Sequence, residues 1–274
     1  MHHIFVRPEQ FSDDRHRLRI TGEDFHHMTR VLRMKEGEEL SVSVTDEADG
    51  RPHPPDGRNV TTDEEKQVSR EEYRFGIEAI TRDAVICTLR FVKRDTAELP
   101  VRILLLQGLP KGDKMEQIIE KNTELGVAEI VPVALKRCVM KLDEKKAASR
   151  AVRWNKIAEA AAKQSRRGVI PRVTDVMTLT EVLSYAKDAK RKLLPYELAE
   201  NDAAHGMAHT RNLMNEIRPG DTVAVFIGPE GGFDESEVSK ARENGFQTVS
   251  LGGRILRTET AGMTVAGWLC YLFG

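Results

Sequence analysis

The run VRILLLQ, Val101 to Gln107, has no polar residue from Ile103 to Leu106 and no alternation. A strand with one face in water alternates. One without alternation is buried on both faces, as in a parallel sheet covered by helices. Downstream, Asp113 opens DKMEQIIEKNTEL, which sets Met115, Ile118, Ile119 and Leu125 on one side and meets Gly126 at its end. That pattern predicts an amphipathic helix with a glycine C-cap. The strand-then-helix unit recurs along the chain. AEIVPVA (128–134), KRKLLPYE (190–197), TVAVFIGPE (222–230) and QTVSL (247–251) read as strands. SRAVRWNKIAEAAAKQSRR (149–167), DESEVSKARENG (234–245) and TETAGMTVAGWLCYLF (258–273) read as helices, the second opened by a capping-box pair, Asp234 and Glu237. Strands alternating with helices imply an α/β domain with a mainly parallel sheet over residues 101–274.

Upstream the character differs. IFVRP and LSVSV read as strands, Glu23 to Leu32 as one or two helical turns, and YRFGIEAITRDAVICTLRFVKR as β-rich. Residues 1–92 therefore read as a small β-barrel, with 93–100 as a linker. An acidic insertion at 46–72, with three prolines, two glycines and few apolar residues, reads as a long loop.

Composition removes several classes of function. At 274 residues, with 40% hydrophobic and 31% charged residues, the chain suits two globular domains. Cys87, Cys138 and Cys270 lie far apart, and the eight histidines form no repeated ligand spacing, so neither a disulfide framework nor a metal is expected. No apolar run approaches the ~20 residues that span a bilayer, and the N-terminus has no signal-peptide pattern, so a cytoplasmic protein with no membrane partner is expected. The net charge of −1 hides an asymmetry: residues 136–172 hold 12 basic and 3 acidic side chains, while 46–72 hold 4 and 9. A local excess of this kind, rather than the total, attracts a polyanion.

Parallel α/β sheets bind ligands at the carboxyl ends of their strands. Three such ends are rich here: LLPYE (193–197), FIGPEGGFDESE (226–237) and SLGGRILRTETA (250–261). The glycines of GPEGG allow close backbone approach to a ligand, and Pro229 stiffens the turn. No GxxxxGK[ST] phosphate loop and no GxGxxG fingerprint follows the first strand. A loop carrying Glu230 beside backbone amides suits an adenosine or amino-acid group better than a triphosphate.

Four segments, in order and spacing, carry a family resemblance: KGDKMEQIIEKNTELGV (111–127), EAAAKQSRR (159–167) followed by IPRV, FIGPEGGFDESE, and SLGGRILRTETA. HHMTRVLRMKEGEEL (26–40) adds a fifth near the N-terminus. The chain resembles the 16S ribosomal RNA uridine-N3 methyltransferases of the SPOUT class over nearly its whole length. The acidic insertion lies outside every matching segment. The resemblance implies a PUA-like N-terminal barrel, a C-terminal SPOUT domain with a parallel sheet and a trefoil knot, and a homodimer with its cofactor pocket beside the partner subunit. It implies S-adenosyl-L-methionine bound by Leu194 and Pro195, by Phe226, Ile227, Gly228, Pro229, Glu230, Gly231 and Gly232, and by Leu251, Gly252, Ile255, Leu256, Arg257 and Thr258. The substrate it implies is 16S ribosomal RNA or the small ribosomal subunit.

Uracil N3 carries a proton that must leave before the nitrogen attacks a sulfonium methyl. Arg257 is placed to stabilise the developing anion, and Glu259 to accept the proton or hold Arg257. Glu259 also suits the positive end of the last helix without any catalytic role. Arg30, Arg33, Lys111, Lys114, Lys121, Arg166 and Arg167 are candidate phosphate contacts, each equally readable as a solvated helix cation. Two other readings stay open: a non-catalytic ribosomal RNA-binding factor, which would not need GPEGG and RILRTETA, and a SPOUT enzyme acting on another RNA.

Overall fold

The computed structural model describes residues 2–12, 16–44, 71–94, 97–197 and 207–274, so the insertion expected at 46–72 lies outside them except for its last two positions. The chain divides into two compact units, Met1–Glu98 with Ala162–Ile170, and Leu99–Ala161 with Pro171–Gly274.

The first unit is a mixed five-stranded sheet, order β1-β3-β4-β5-β2. Its strands are β1 (His2–Val6), β2 (Arg17–Ile20), β3 (Glu39–Val44), β4 (Glu71–Ile80) and β5 (Val85–Arg94). β1 and β3 are parallel, and the other pairs are antiparallel. Register shifts between Arg74 and Phe75 and between Ile77 and Ala79 mark bulges that bend β4 along β5. A short helix α1 (Gly22–His26) runs into a π turn (His27–Val31) and drops Phe25 and Met28 onto Leu18, Ile20, Leu40, Val42 and Phe75. The alternation of LSVSV predicts a polar side in water. Instead Ser41 and Ser43 are buried, and Ser41 Oγ meets Nδ1 of His3, its paired residue on β1, at 2.8 Å.

The second unit is a seven-stranded parallel sheet with helices. Its strands are β6 (Arg102–Gly108), β7 (Glu129–Ala134), β8 (Arg172–Val173), β9 (Met177–Thr178), β10 (Arg191–Pro195), β11 (Thr222–Ile227) and β12 (Gln247–Val249). Interleaved are α2 (Lys114–Glu124), α3 (Glu144–Ser165, whose residues from Ala162 on fall in the first unit), α4 (Leu179–Tyr185), α5 (Ala208–Asn215), α6 (Glu235–Glu243) and α7 (Thr258–Phe273). All six residues Ile103 to Gly108 of β6 are buried, as the unbroken apolar run requires of a central strand. α2 buries Met115, Ile118 and Ile119, and Gly126 at φ +82° ends it in the left-handed conformation. α3 buries Ala151, Trp154, Ala158, Ala161 and Ala162 at helical spacing. α7 packs on the sheet and α2 through Ala261, Gly262, Val265 and Leu269; a Cβ at Gly262 would lie 3.4 Å from Leu105 Cδ1.

The strand order β12-β10-β11-β6-β7-β8 determines where a ligand can sit. From β6 the chain builds outward through β7, β8 and β9, then returns to the other side of β6 to lay down β10, β11 and β12. The direction of winding therefore reverses between β6 and β11, and the connections diverge there at the carboxyl ends.

Candidate functional site

At that reversal a cleft of about 750 Å³ opens in the second unit. Its walls are the segments that leave the carboxyl ends of β10, β11 and β12, namely Pro195–Glu197, Ile227–Phe233 and Ser250–Thr258, with Met207, Lys114 and Ala261. The volume lies within the range of small-molecule and cofactor sites.

Each wall is fixed by local chemistry. The β11 loop turns tightly: Gly232 N–H donates to Pro229 O at 2.9 Å, and Gly232 takes φ +66°. Phe233 folds under this turn edge-on to Phe226, with ring centroids 4.9 Å apart. Asp234 then caps α6, accepting from Ser236 N–H at 3.2 Å, while Glu237 accepts from Asp234 N–H at 2.9 Å, which completes the expected capping box. Lys136 and Ser236 hydrogen bonds hold the Asp234 carboxyl down at about 2. The β12 loop is pinned by Thr210 of α5, whose Oγ1 accepts from Ser250 N–H at 3.0 Å and donates to Ser250 O at 3.2 Å. Gly252 takes φ +106°, a conformation that L side chains rarely adopt.

The floor rests on a side chain absent from the sequence reading. Gln107, at the end of β6, is fully buried; its Nε2 donates to Thr258 Oγ1 at 2.9 Å and to Gly108 O at 3.0 Å. Thr258 Oγ1 in turn donates to Gly228 O at 2.6 Å. One chain of hydrogen bonds thus ties β6, the β11 loop and the first residue of α7. Gly108 beside it has no room for a side chain. A Cβ there would lie 2.7 Å from Pro229 Cδ and 2.8 Å from Pro229 N. Gly108→Val is therefore expected to displace the Pro229 turn and cost roughly 1–3 kcal/mol, measured by urea denaturation; wild-type stability would contradict this packing.

Of the residues expected at the cofactor, Leu194 and Phe226 require correction. Both are 0% exposed and sit in the core, with Phe226 packed against Phe233 and Phe246. A parallel strand buries both faces, so its inner residues cannot reach a ligand at its end. The others, Pro195, Ile227 to Gly232, Leu251, Gly252, Ile255, Leu256, Arg257 and Thr258, line the cleft. So do Tyr196, Glu197, Met207 and Ser250, which the reading left out of the site. No composition signal marks these four; they are found by being next to the motif residues.

Arg257 is the N-cap of α7 and is exposed; among the described residues its side chain has no hydrogen bond or ion pair. The helix dipole disfavours a cation at this end. Glu259, in the first turn, is mostly buried, with its side chain 13% exposed, and its Oε2 lies 3.4 Å from Lys114 Nζ. Lys114 Nζ also lies 3.0 Å from Glu230 Oε1, and both Glu230 oxygens accept from Lys111 N–H at 3.1 Å. Partial burial pushes the Glu230 carboxyl up, but its own backbone N–H, Lys114 and Lys111 outweigh this and hold it below the usual carboxylate range. The Glu230 hydrogen bond raises the Lys114 pKa, despite some desolvation.

The expected phosphate contacts separate into two groups. Arg30, Arg33, Lys111 and Arg166 have exposed side chains without a partner among the described residues, and Arg33 and Arg166 hold non-glycine φ values of +52° and +58°. Lys114 instead turns into the cleft, and Lys121 is flanked by Glu120 at 2.8 Å and Glu124 at 2.9 Å. Arg167 requires correction as a phosphate contact. It is 3% exposed and grips Glu98 through Nε at 3.1 Å and Nη2 at 2.7 Å. The basic run at 136–172 is also partly neutralised by carboxylates, with Arg150 and Arg153 on Glu116 and Lys136 on Asp234.

A family described as the RNA methyltransferase domain matches residues 97–270, and the RNA methyltransferase PUA domain matches residues 20–50. Ribosomal RNA small subunit methyltransferase E of Bacillus subtilis is 34% identical over 252 residues, 92% of this chain and 89% of its own. The protein of the same name from Synechocystis is 29% identical over 94% of this chain and 73% of its own. The crystal structure of a ribosomal RNA small subunit methyltransferase E from Neisseria gonorrhoeae, bound to S-adenosyl methionine, is similar with a TM-score of 0.74 and 27% identity, covering 99% of this chain and 98% of that one. The resemblance carried by the GPEGG and RILRTETA segments is thereby borne out, and the chain belongs to the RNA methyltransferase domain family, with the ribosomal RNA small subunit methyltransferases E as its relatives.

Proposed function

We propose that this protein is an S-adenosylmethionine-dependent methyltransferase acting on N3 of a uridine in the 16S RNA of the small ribosomal subunit, as a homodimer in the cytoplasm. The observation that carries the reading is Arg257. A cation with no hydrogen bond or ion pair among the described residues lines a cofactor-sized cleft, at a helix end whose dipole disfavours it, beside a partly buried carboxylate. The cleft fits the donor: Pro195, Ile227, Leu251 and Leu256 supply apolar surface, and Gly232 and Gly253 have open space where a Cβ would stand.

When bound, S-adenosylmethionine supplies an electrophilic methyl group on a sulfonium. The remaining work falls to the chain. Arg257 stabilises the negative charge that spreads over the uracil ring as the N3–H bond breaks. Glu259 takes the N3 proton directly or through a water. The methyl would pass from sulfur to N3, with S-adenosylhomocysteine as the leaving product. The β11 and β12 loops would hold the donor between them, which would remove much of the orientational cost. Arg30, Arg33, Lys111 and Arg166 supply phosphate contacts that place the RNA.

Homodimerisation is supported by apolar side chains left in water on the second unit, Ile255 at 83% and Tyr271 at 88% exposure. We read the C-terminal stretch as the threaded part of a trefoil knot, as the family resemblance implies; it is tied to α5, the β11 loop and β6 through Thr210, Gly228 and Gln107. The test is methyl transfer to small ribosomal subunits that lack the native modification, followed by digestion and mass spectrometry of nucleosides. 3-Methyluridine is expected. Another methylated nucleoside would overturn the target, and no product with no cofactor binding would overturn the activity.

A further inference from the structure

Lys114 belongs to a turn, Lys111 to Lys114, that the sequence reading assigns to RNA. Its ammonium instead bridges two carboxylates inside the cleft. It lies 3.0 Å from Glu230 Oε1 on the β11 loop and 3.4 Å from Glu259 Oε2 in the first turn of α7. The same turn donates Lys111 N–H to both oxygens of Glu230. Among the described residues Glu259 Oε2 is buried and makes no hydrogen bond, and Lys114 is the cation placed beside it. Without that ammonium two carboxylates from different segments would share a partly dry site, and each would repel the other. The segments they belong to form two walls of the cofactor cleft.

We propose that Lys114 is a positioning residue for methyl transfer: it bridges Glu230 and Glu259 and keeps them in register, and so holds the β11 loop and the start of α7 in the geometry that receives the donor. The proposal rests on the cofactor assignment above, and it replaces a phosphate contact by an internal counter-ion. A lysine bound to phosphate and a lysine bound between carboxylates give opposite experimental signatures. The first adds about one unit to the salt dependence of RNA binding and leaves cofactor affinity alone. The second supports cofactor affinity and leaves the salt dependence alone.

The experiment compares wild type, Lys114→Met and Lys114→Arg. Calorimetry with S-adenosylmethionine alone gives cofactor affinity, and filter binding of small-subunit RNA across a salt series gives the salt slope. Lys114→Met is expected to weaken cofactor binding roughly tenfold, the scale of one lost charge-assisted hydrogen bond, with the RNA salt slope unchanged. Lys114→Arg, which keeps the charge, is expected to recover most of the affinity. At saturating substrates, Lys114→Met combined with Glu259→Gln is expected to turn over no more slowly than Glu259→Gln alone, because the lysine acts through that carboxylate. Where Lys114→Met does not fold, Lys114→Gln serves in its place. Unchanged cofactor affinity overturns the proposal, and if the salt slope falls by about one unit as well, Lys114 returns to the RNA interface. Because the calorimetry contains no RNA, its outcome is independent of which nucleotide is methylated. A wild type that binds the donor but methylates no small-subunit RNA would count against the assigned reaction and leave Lys114 in place.

Discussion

Arg257→Ala is expected to lower the turnover number for methyl transfer by about 100- to 1,000-fold, the range seen when one preorganised group facing a developing anion is removed. Its fold is expected to survive. The Arg257 side chain makes no hydrogen bond or ion pair among the described residues, and the α7 bonds from Thr260 N–H and Ala261 N–H reach its backbone carbonyl, which alanine retains. Removing a cation from the positive end of a helix is mildly stabilising, by about 0.3–1 kcal/mol at most. The measurement is single-turnover methylation at saturating donor, with a thermal melt on the same sample. Loss of turnover with an unchanged melt places Arg257 in the chemistry. Full turnover with a weaker Michaelis constant for RNA would make it a binding residue, and Glu259 would then have to act without it.

Arg167→Met is expected to destabilise the first unit by about 3–5 kcal/mol, since it leaves Glu98 as a buried charge with half of its partners gone. Glu98 accepts from Arg167 Nε and Nη2, from Gly168 N–H at 3.1 Å and from Val169 N–H at 3.3 Å. Its side chain is only 11% exposed. The check is the urea midpoint. Replacing both partners, Arg167→Met with Glu98→Gln, which keeps an acceptor for Gly168 and Val169 N–H, is expected to cost less than Arg167→Met alone, because no unpaired charge remains. If Arg167→Met kept its stability and instead lowered the salt dependence of RNA binding, the arginine would be a phosphate contact after all.

The sequence by itself determined the elements whose signals are local. The unbroken run of β6, the helical spacing in α2 with Gly126 behind it, and the Asp234–Glu237 box that opens α6 each lie within a dozen residues. Backbone propensity and capping act over that range, so the element types could be read without any partner. GPEGG and RILRTETA were equally legible as site segments, because glycines and charges clustered after a buried strand have little use in packing.

Tertiary structure alone decided the rest, and each case involves residues distant in sequence. Gln107 reads as the polar end of a strand; its role appears only when Thr258 arrives 151 positions later. Lys114 and Arg167 read as surface cations like Arg30 and Arg166, until Glu230 and Glu259 in one case and Glu98 in the other are brought to them. Leu194 and Phe226 lie beside true cleft residues in sequence, yet point into a core that a parallel sheet buries on both faces. Side-chain periodicity encodes how a segment coils or extends. It does not encode which charge will meet which, because that depends on strand order, and the order reverses between β6 and β11 through connections that leave no local trace.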